Sequence, residues 1–165
     1  NGPDFIPQVT TGFGFRSSPL EIVQAYGAIA NGGQLLEPID GKGKTKSVRK
    51  VLSAESVMKL RQLLQNAVNN GTGKNAQSDL YTTAGKTAST FQEQFRLGRK
   101  SRNGANYAGF IGFAPVHRPA VEVYVGIMNP TASKSGANGG AHAAPVFKEV
   151  VENVLTHLKV VPDKL

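Results

Sequence analysis

Apolar positions in this chain follow two regimes, helical spacing in the first half and at the end, and dense β-branched and aromatic runs between. Ser18 and Pro19 supply a cap and a proline suited to a first turn, and Leu20, Val23, Ala28 and Ile29 fall loosely on one stripe, which predicts a helix through Ala30. Asn31-Gly-Gly33 stops it. Residues 35–39 and 48–52 then predict two short strands around an exposed Gly, Lys and Thr tip at 41–46, a small hairpin. Ser53 caps a second helix in which Val57, Leu60, Leu64 and Val68 recur at helical spacing until Asn69-Asn-Gly-Thr-Gly73 ends it. Beyond that point residues 80–90, 107–114 and 121–128 predict three consecutive antiparallel strands, with 92–106 as a long polar connection. A last helix is expected from about 144 to 159, where Val146, Phe147, Val150, Val151, Val154 and Leu158 form one broad face able to cover the sheet. The fold class is therefore α+β, an antiparallel sheet of three core strands covered by a C-terminal helix.

Composition narrows this picture. At 165 residues and 39% apolar content the chain suffices for one domain-sized core. A formal charge of +8 favours anionic partners without choosing among nucleic acid, lipid and envelope polymers. The absence of cysteine excludes disulfides and thiolate metal sites. His117, His142 and His157 are too scattered to read as a ligand set. The longest apolar run, 121–128, is interrupted by Glu122 and falls far below the roughly 20 residues of a membrane helix. The first residues lack a signal-peptide pattern, so targeting information is expected in a longer precursor, of which this chain would be a fragment.

The chemistry concentrates in Ala84-Gly-Lys86-Thr87-Ala88-Ser89-Thr90. Side chains on a strand alternate, so Lys86, Ala88 and Thr90 are expected on one face and Thr87 and Ser89 on the other, two hydroxyls side by side with a cation nearby. A carboxylate would find charge-assisted hydrogen bonds there. At a sheet edge facing a cleft, such a strand would also pair with an extended peptide, making the target a peptide's terminal carboxylate.

This tract resembles the Lys-Thr-Gly-Thr-Ala strand of penicillin-binding proteins. The flanks agree in order: Gly12-Phe-Gly14, Ser18-Pro-Leu-Glu-Ile22 and Ala25 to Gly33 before it, then Gly71-Thr-Gly73, Phe110 to Pro115 and Gly139 to Phe147. Even the tail, Val161-Pro-Asp-Lys-Leu165, is similar to a division-type member. The chain is thus identified, over nearly its whole length, as the C-terminal part of a class B transpeptidase domain. The resemblance implies a peptidoglycan D,D-transpeptidase that joins stem peptides ending in D-Ala-D-Ala, binds β-lactams, needs no metal or organic cofactor, and works in the periplasm or on the outer face of a membrane that anchors its parent. It implies that Lys86 orients a serine and attracts the substrate carboxylate, that Thr87 and Ser89 hold that carboxylate within the 87–90 segment, and that the Ser89 N–H is one oxyanion donor.

Two departures matter. The family's Gly is Ala88, whose methyl is expected to crowd the substrate face or tilt the strand. The family's nucleophilic Ser-x-x-Lys and following Ser-x-Asn belong upstream of the lysine strand, where this chain has little room for them. Ser56-Val-Met-Lys59, Ser47-Val-Arg-Lys50 and Ser101-Arg-Asn103 match by spacing alone, and Ser101 follows Lys86 where the family order places it before. Gly71-Thr-Gly-Lys74 fails as a phosphate loop, because position 68 is Val and position 75 is Asn. The chain alone is expected to be catalytically incomplete and to associate with the upstream part of its domain or with itself. A rival reading is a non-catalytic basic module built on the clusters Lys42, Lys44, Lys46, Arg49, Lys50 and Arg96, Arg99, Lys100, Arg102. Nucleic acid is disfavoured as its partner, since only Phe95 and Tyr107 accompany the basic residues as stacking aromatics.

Overall fold

The structure, a computed structural model, describes residues 12, 16–41, 43–90, 107–130 and 138–164, the side chain of Thr90 excepted. Helix α1 (Pro19–Ala30) starts at a reciprocal cap: Ser18 Oγ accepts from the Glu21 N–H at 3.3 Å, and the Glu21 carboxylate accepts from Ser18 N at 2.7 Å. These hydrogen bonds hold the Glu21 carboxyl below its ordinary pKa. The helix ends at Asn31, and Gly33, at φ +104°, turns the chain into the hairpin.

The hairpin strands β1 (Gln34–Leu36) and β2 (Ser47–Lys50) pair antiparallel, as expected but shorter. Pro38 has no N–H to extend β1, and the N–H groups of Val51 and Leu52 go to Gly33 O instead of a ladder. Helix α2 (Ala54–Asn69) begins at its Ser53 cap and buries Val57 and Val68. A short 3-10 turn, Lys74–Ala76, follows.

Strands β3 (Ala84–Thr90), β4 (Tyr107–Ala114) and β5 (Val121–Met128) form one antiparallel sheet in sequential order. The expected strand at 80–90 begins only at Ala84. Ser78 Oγ accepts from the N–H groups of Leu80 and Tyr81, both at 3.1 Å, and this local turn competes with extension. Helix α3 (Gly139–His157) starts five positions before the expected residue 144. The cap is Asn138, whose Oδ1 accepts from the Ala141 N–H at 3.0 Å, and Pro145 lies inside the helix. At its other end Lys159 adopts φ +55° and the Val160 N–H reaches Leu155 O at 3.0 Å, closing the helix.

The sheet is covered on both faces. Phe110 and Ala114 pack under α3 against Ala144, Phe147, Val151 and Leu155, and the Phe110 and Phe147 rings lie 4.7 Å apart. On the opposite face Ala84, Phe113 and Val116 meet Ile29 and Ala30 of α1 and Leu64 of α2. Each buried phenylalanine contributes roughly 1.5–3 kcal/mol from the area removed from water. Arg61 of α2 locks this second layer: its guanidinium donates to Ile29 O at 3.1 Å, Ala30 O at 2.8 Å and His117 O at 3.1 Å, joining α1, α2 and the β4–β5 turn. These layers leave β3 at an edge, with α3 beginning beside it.

Candidate active site at the edge of strand β3

Among the described residues β3 pairs with β4 alone, so its other edge is open. The register sets the faces. Lys86 lies opposite Ile111 and Ala88 opposite Gly109, while Thr87 and Ser89 lie opposite Phe110 and Ala108. Because Phe110 belongs to the α3 layer and Phe113, two pairs from Ile111, to the α1–α2 layer, Thr87 and Ser89 face α3 and Lys86 and Ala88 face the helical side.

The two hydroxyls enter one cleft. It has a volume of about 320 Å³ and is lined by Thr72, Asn75, Thr87, Ser89, Asn138 and Gly140, among others. Thr87 Oγ1 lies 2.8 Å from Thr72 Oγ1, and Ser89 Oγ accepts from the Gly139 N–H at 3.1 Å. This arrangement decides which protons remain. In the threonine pair one hydroxyl donates to the other, which leaves a single O–H for a ligand. Ser89 uses a lone pair on Gly139 and keeps its own O–H. Two donors therefore face the cleft beside the N-terminus of α3, whose dipole favours a negative group. A carboxylate fits that pattern of donors.

Close approach of helix and strand depends on Gly139. A Cβ there would clash with Gly109 O and lie 2.6 Å from Ala88 O, so only glycine lets α3 start against the β3–β4 pair. Asn75 fixes the opposite wall, donating from Nδ2 to Gly140 O at 2.8 Å.

Lys86 is exposed on the other face, and its Nζ donates to Thr87 O at 3.0 Å across the edge of the strand. Ala88 is also exposed, and β3 pairs in unbroken register through it, so the methyl neither bulges nor ends the strand. The side chain of Thr90 lies outside the described residues, although its backbone pairs with Tyr107. The structure thus brings Thr87 and Ser89 together and holds Lys86 on the adjoining face.

The spacing matches behave as ordinary structure. Lys59 Nζ pairs with Glu55 at 2.6 Å and Ser56 Oγ accepts from Ser53 Oγ at 3.0 Å, so this serine and lysine do not meet. Ser47 donates to Gln34 Oε1 at 2.8 Å. Ser101-Arg-Asn103, Lys42 and the cluster from Arg96 to Arg102 lie outside the described residues. Thr72, Asn75 and Asn138 were not singled out in the sequence. The glycines beside them, at 71–73 and 139–140, carried the signal of close backbone approach. Among the described residues no group of three potential ligands could hold a metal ion, and no helix is long and apolar enough to cross a membrane.

A model of the penicillin binding protein transpeptidase domain matches residues 5–152. The chain belongs to the penicillin-binding protein transpeptidase family. It is 33% identical to stage V sporulation protein D of Bacillus subtilis over 96% of this chain and 26% of that protein. It is 34% identical to a probable peptidoglycan D,D-transpeptidase, PenA, of Neisseria flavescens over 93% of this chain and 38% of that protein. The fold agrees with the transpeptidase domain of Burkholderia pseudomallei penicillin-binding protein 3, at a TM-score of 0.74 and 27% identity, covering 96% of this chain and 48% of that one. The chain therefore spans between about a quarter and two fifths of the length of these two curated relatives. Both the class B likeness and the α+β fold read from the sequence are borne out.

Proposed function

We propose that this chain, as the C-terminal portion of a transpeptidase domain, forms the wall that holds the substrate carboxylate in a peptidoglycan D,D-transpeptidase acting outside the cytoplasm. The observation that carries this is a pair of hydroxyl donors, the Ser89 O–H and the one O–H left by the Thr72–Thr87 pair, set beside the N-terminus of α3 at a strand edge that is open among the described residues. The donor is a stem peptide ending in D-Ala-D-Ala. Its terminal carboxylate accepts from Ser89 and from the Thr72–Thr87 pair, while its extended backbone runs along β3.

The reaction requires a serine. Its Oγ forms a bond to the carbonyl carbon of the penultimate D-Ala, the proton passes through a base to the departing amine, and the terminal D-Ala leaves. The amine of a neighbouring stem peptide then displaces the serine from the acyl group. β-Lactams acylate the same serine. Lys86 orients that serine from the face opposite the cleft, and the Ser89 N–H stabilises the oxyanion. Segments of the domain outside this chain supply the serine. Among the described residues β5 pairs with β4 alone, and its Met128 is 66% exposed, which supports association with such a segment or, when it is lacking, with a second copy. The family's division and cell-shape roles, and a membrane anchor elsewhere in the parent, belong to the same reading.

Intact mass after incubation with excess penicillin tests it. The expected result is no adduct on this chain alone and one adduct on the upstream segment when the two are combined, lost with Ser89→Ala. An adduct mapped to Ser47 or Ser56 of this chain would overturn the division of labour, and undiminished labelling of Ser89→Ala would overturn the carboxylate assignment.

A further inference from the structure

Glu122 stands on β5 opposite Phe113, whose side chain belongs to the α1–α2 layer, so its carboxylate points beneath α1. A Cβ built at Gly27 would lie 3.2 Å from Glu122 Oε2, which sets the carboxylate against the helix. The other oxygen, Oε1, is buried with no hydrogen-bond partner among the described residues. A buried carboxylate without a partner is costly, and a cation brought to it recovers that cost.

A cavity of about 240 Å³ opens beside it, lined by Gly27, Ala30, Asn31, Leu36, Ala120 and Glu122, among others. Glu122 is the only charged residue in that lining, and the rest is apolar apart from Asn31. No cation among the described residues offsets the charge. Burial alone moves the Glu122 carboxyl, and the neighbour it affects is the Tyr26 hydroxyl of α1. Arg61 engages Ile29 O, Ala30 O and His117 O, while Arg118 lies exposed on a different cavity, between the β4–β5 turn and the C-terminal tail. The volume falls below the roughly 300–1,000 Å³ of small-molecule pockets and suits a single side chain.

The place of Glu122 in the sheet says where that side chain comes from. Among the described residues β5 pairs with β4 alone. A strand laid along its other edge puts one residue opposite Glu122 on the same face, with Cβ atoms about 4.5–5.5 Å apart, where opposite charges attract. This chain spans about a quarter to two fifths of the length of two curated relatives, and the function proposed above already places the serine on a segment outside it.

We infer that the cavity beside Glu122 receives a lysine or arginine side chain from the segment of the transpeptidase domain outside this chain, and that this ion pair sets the register of that segment against β5. Register matters because a slip of one residue turns every side chain of the added strand to the other face. The inference rests on the reading of this chain as part of a divided transpeptidase domain.

One substitution in two contexts tests it. Glu122→Gln is made in this chain and in the intact parent domain, and each is unfolded in urea at pH 8, where a carboxyl raised to about 7 is charged. In this chain the substitution removes a lone buried charge, and the midpoint is expected to rise by about 0.5 M; in the intact domain it strands the incoming cation, and the midpoint is expected to fall by about 1 M. Glu149→Gln, exposed on α3, removes the same charge elsewhere and leaves both midpoints in place. In the intact domain, carbon-13 spectra should show the Glu122 carboxyl titrating below 4.5, the ordinary value, as a carboxylate beside a cation does. A midpoint that rises or stays in the intact domain, a carboxyl that still titrates near 7 there, or an equal loss from Glu149→Gln would overturn the proposal. So would a fall in this chain that grows with protein concentration, since a second copy would then fill the cavity. Penicillin labelling of the intact wild-type domain keeps the two readings apart. An unlabelled domain would sink the transpeptidase function, while the direction of the Glu122→Gln shift still decides what fills the cavity.

Discussion

The Gly139 N–H donates to Ser89 Oγ at 3.1 Å, which makes the first residue of α3 and a hydroxyl of β3 parts of one cleft wall. The bond consumes a lone pair on Ser89 and leaves its proton for a ligand. It also makes the cleft depend on how closely the helix approaches the strand.

Replacing Gly139 with Ala tests that dependence. The new methyl would lie 2.6 Å from Ala88 O, so α3 must lift from β3 and the Ser89 contact must lengthen. The expected cost is about 1–3 kcal/mol of stability, typical of overpacking, read as a lower urea midpoint. Penicillin labelling of the recombined domain should slow by more than this stability loss accounts for. Unchanged labelling in a destabilised variant would show that the helix start does not shape the site.

Glu122 makes stability pH-dependent. It sits on β5 opposite Phe113, its Oε1 is buried with no partner among the described residues, and burial raises its carboxyl to about 7. The same charge, together with burial, which is the larger cause, pushes the Tyr26 hydroxyl up. A carboxyl raised in the folded state binds its proton more tightly there than in the unfolded chain. The contribution of Glu122 to stability is therefore fully present below the ordinary value of 4.5, is lost as pH rises toward about 7, and is flat beyond. Since water still reaches part of the side chain, the change is on the order of 1–2 kcal/mol. Glu122→Gln should flatten this slope in urea titrations at pH 5 and pH 8 and stabilise the protein at pH 8. A variant that keeps the slope would assign it to another group.

Arg61 is predicted to be a structural arginine. Its donors satisfy Ile29 O and Ala30 O at the end of α1 and reach the β4–β5 turn. Arg61→Met leaves those carbonyls without their partner and should cost about 2–4 kcal/mol. Arg61→Lys should recover only part of this, because an ammonium cannot reproduce the planar fork. Equal melts for the lysine variant and the wild type would show that charge alone suffices.

Much of the fold was legible because the signals were local. Ser18 and Ser53 capped the helices they were expected to cap, and the β-branched runs at 107–114 and 121–128 became β4 and β5 with the expected bounds. The errors lay at element starts. Ser78 turned residues that read as strand, and the Asn138 cap starts α3 five positions before the expected residue 144.

The sequence by itself determined the α+β order of elements, the alternation that sends Thr87 and Ser89 to one face and Lys86 to the other, and the family. Alternation and capping depend on neighbours in the chain, so they can be read from it. Only the tertiary structure decided that Thr72, 15 positions before Thr87, and Gly139, 50 positions after Ser89, complete the cleft. Those contacts arise where α3 packs across β3, and packing joins residues whose separation along the chain carries no record of their meeting.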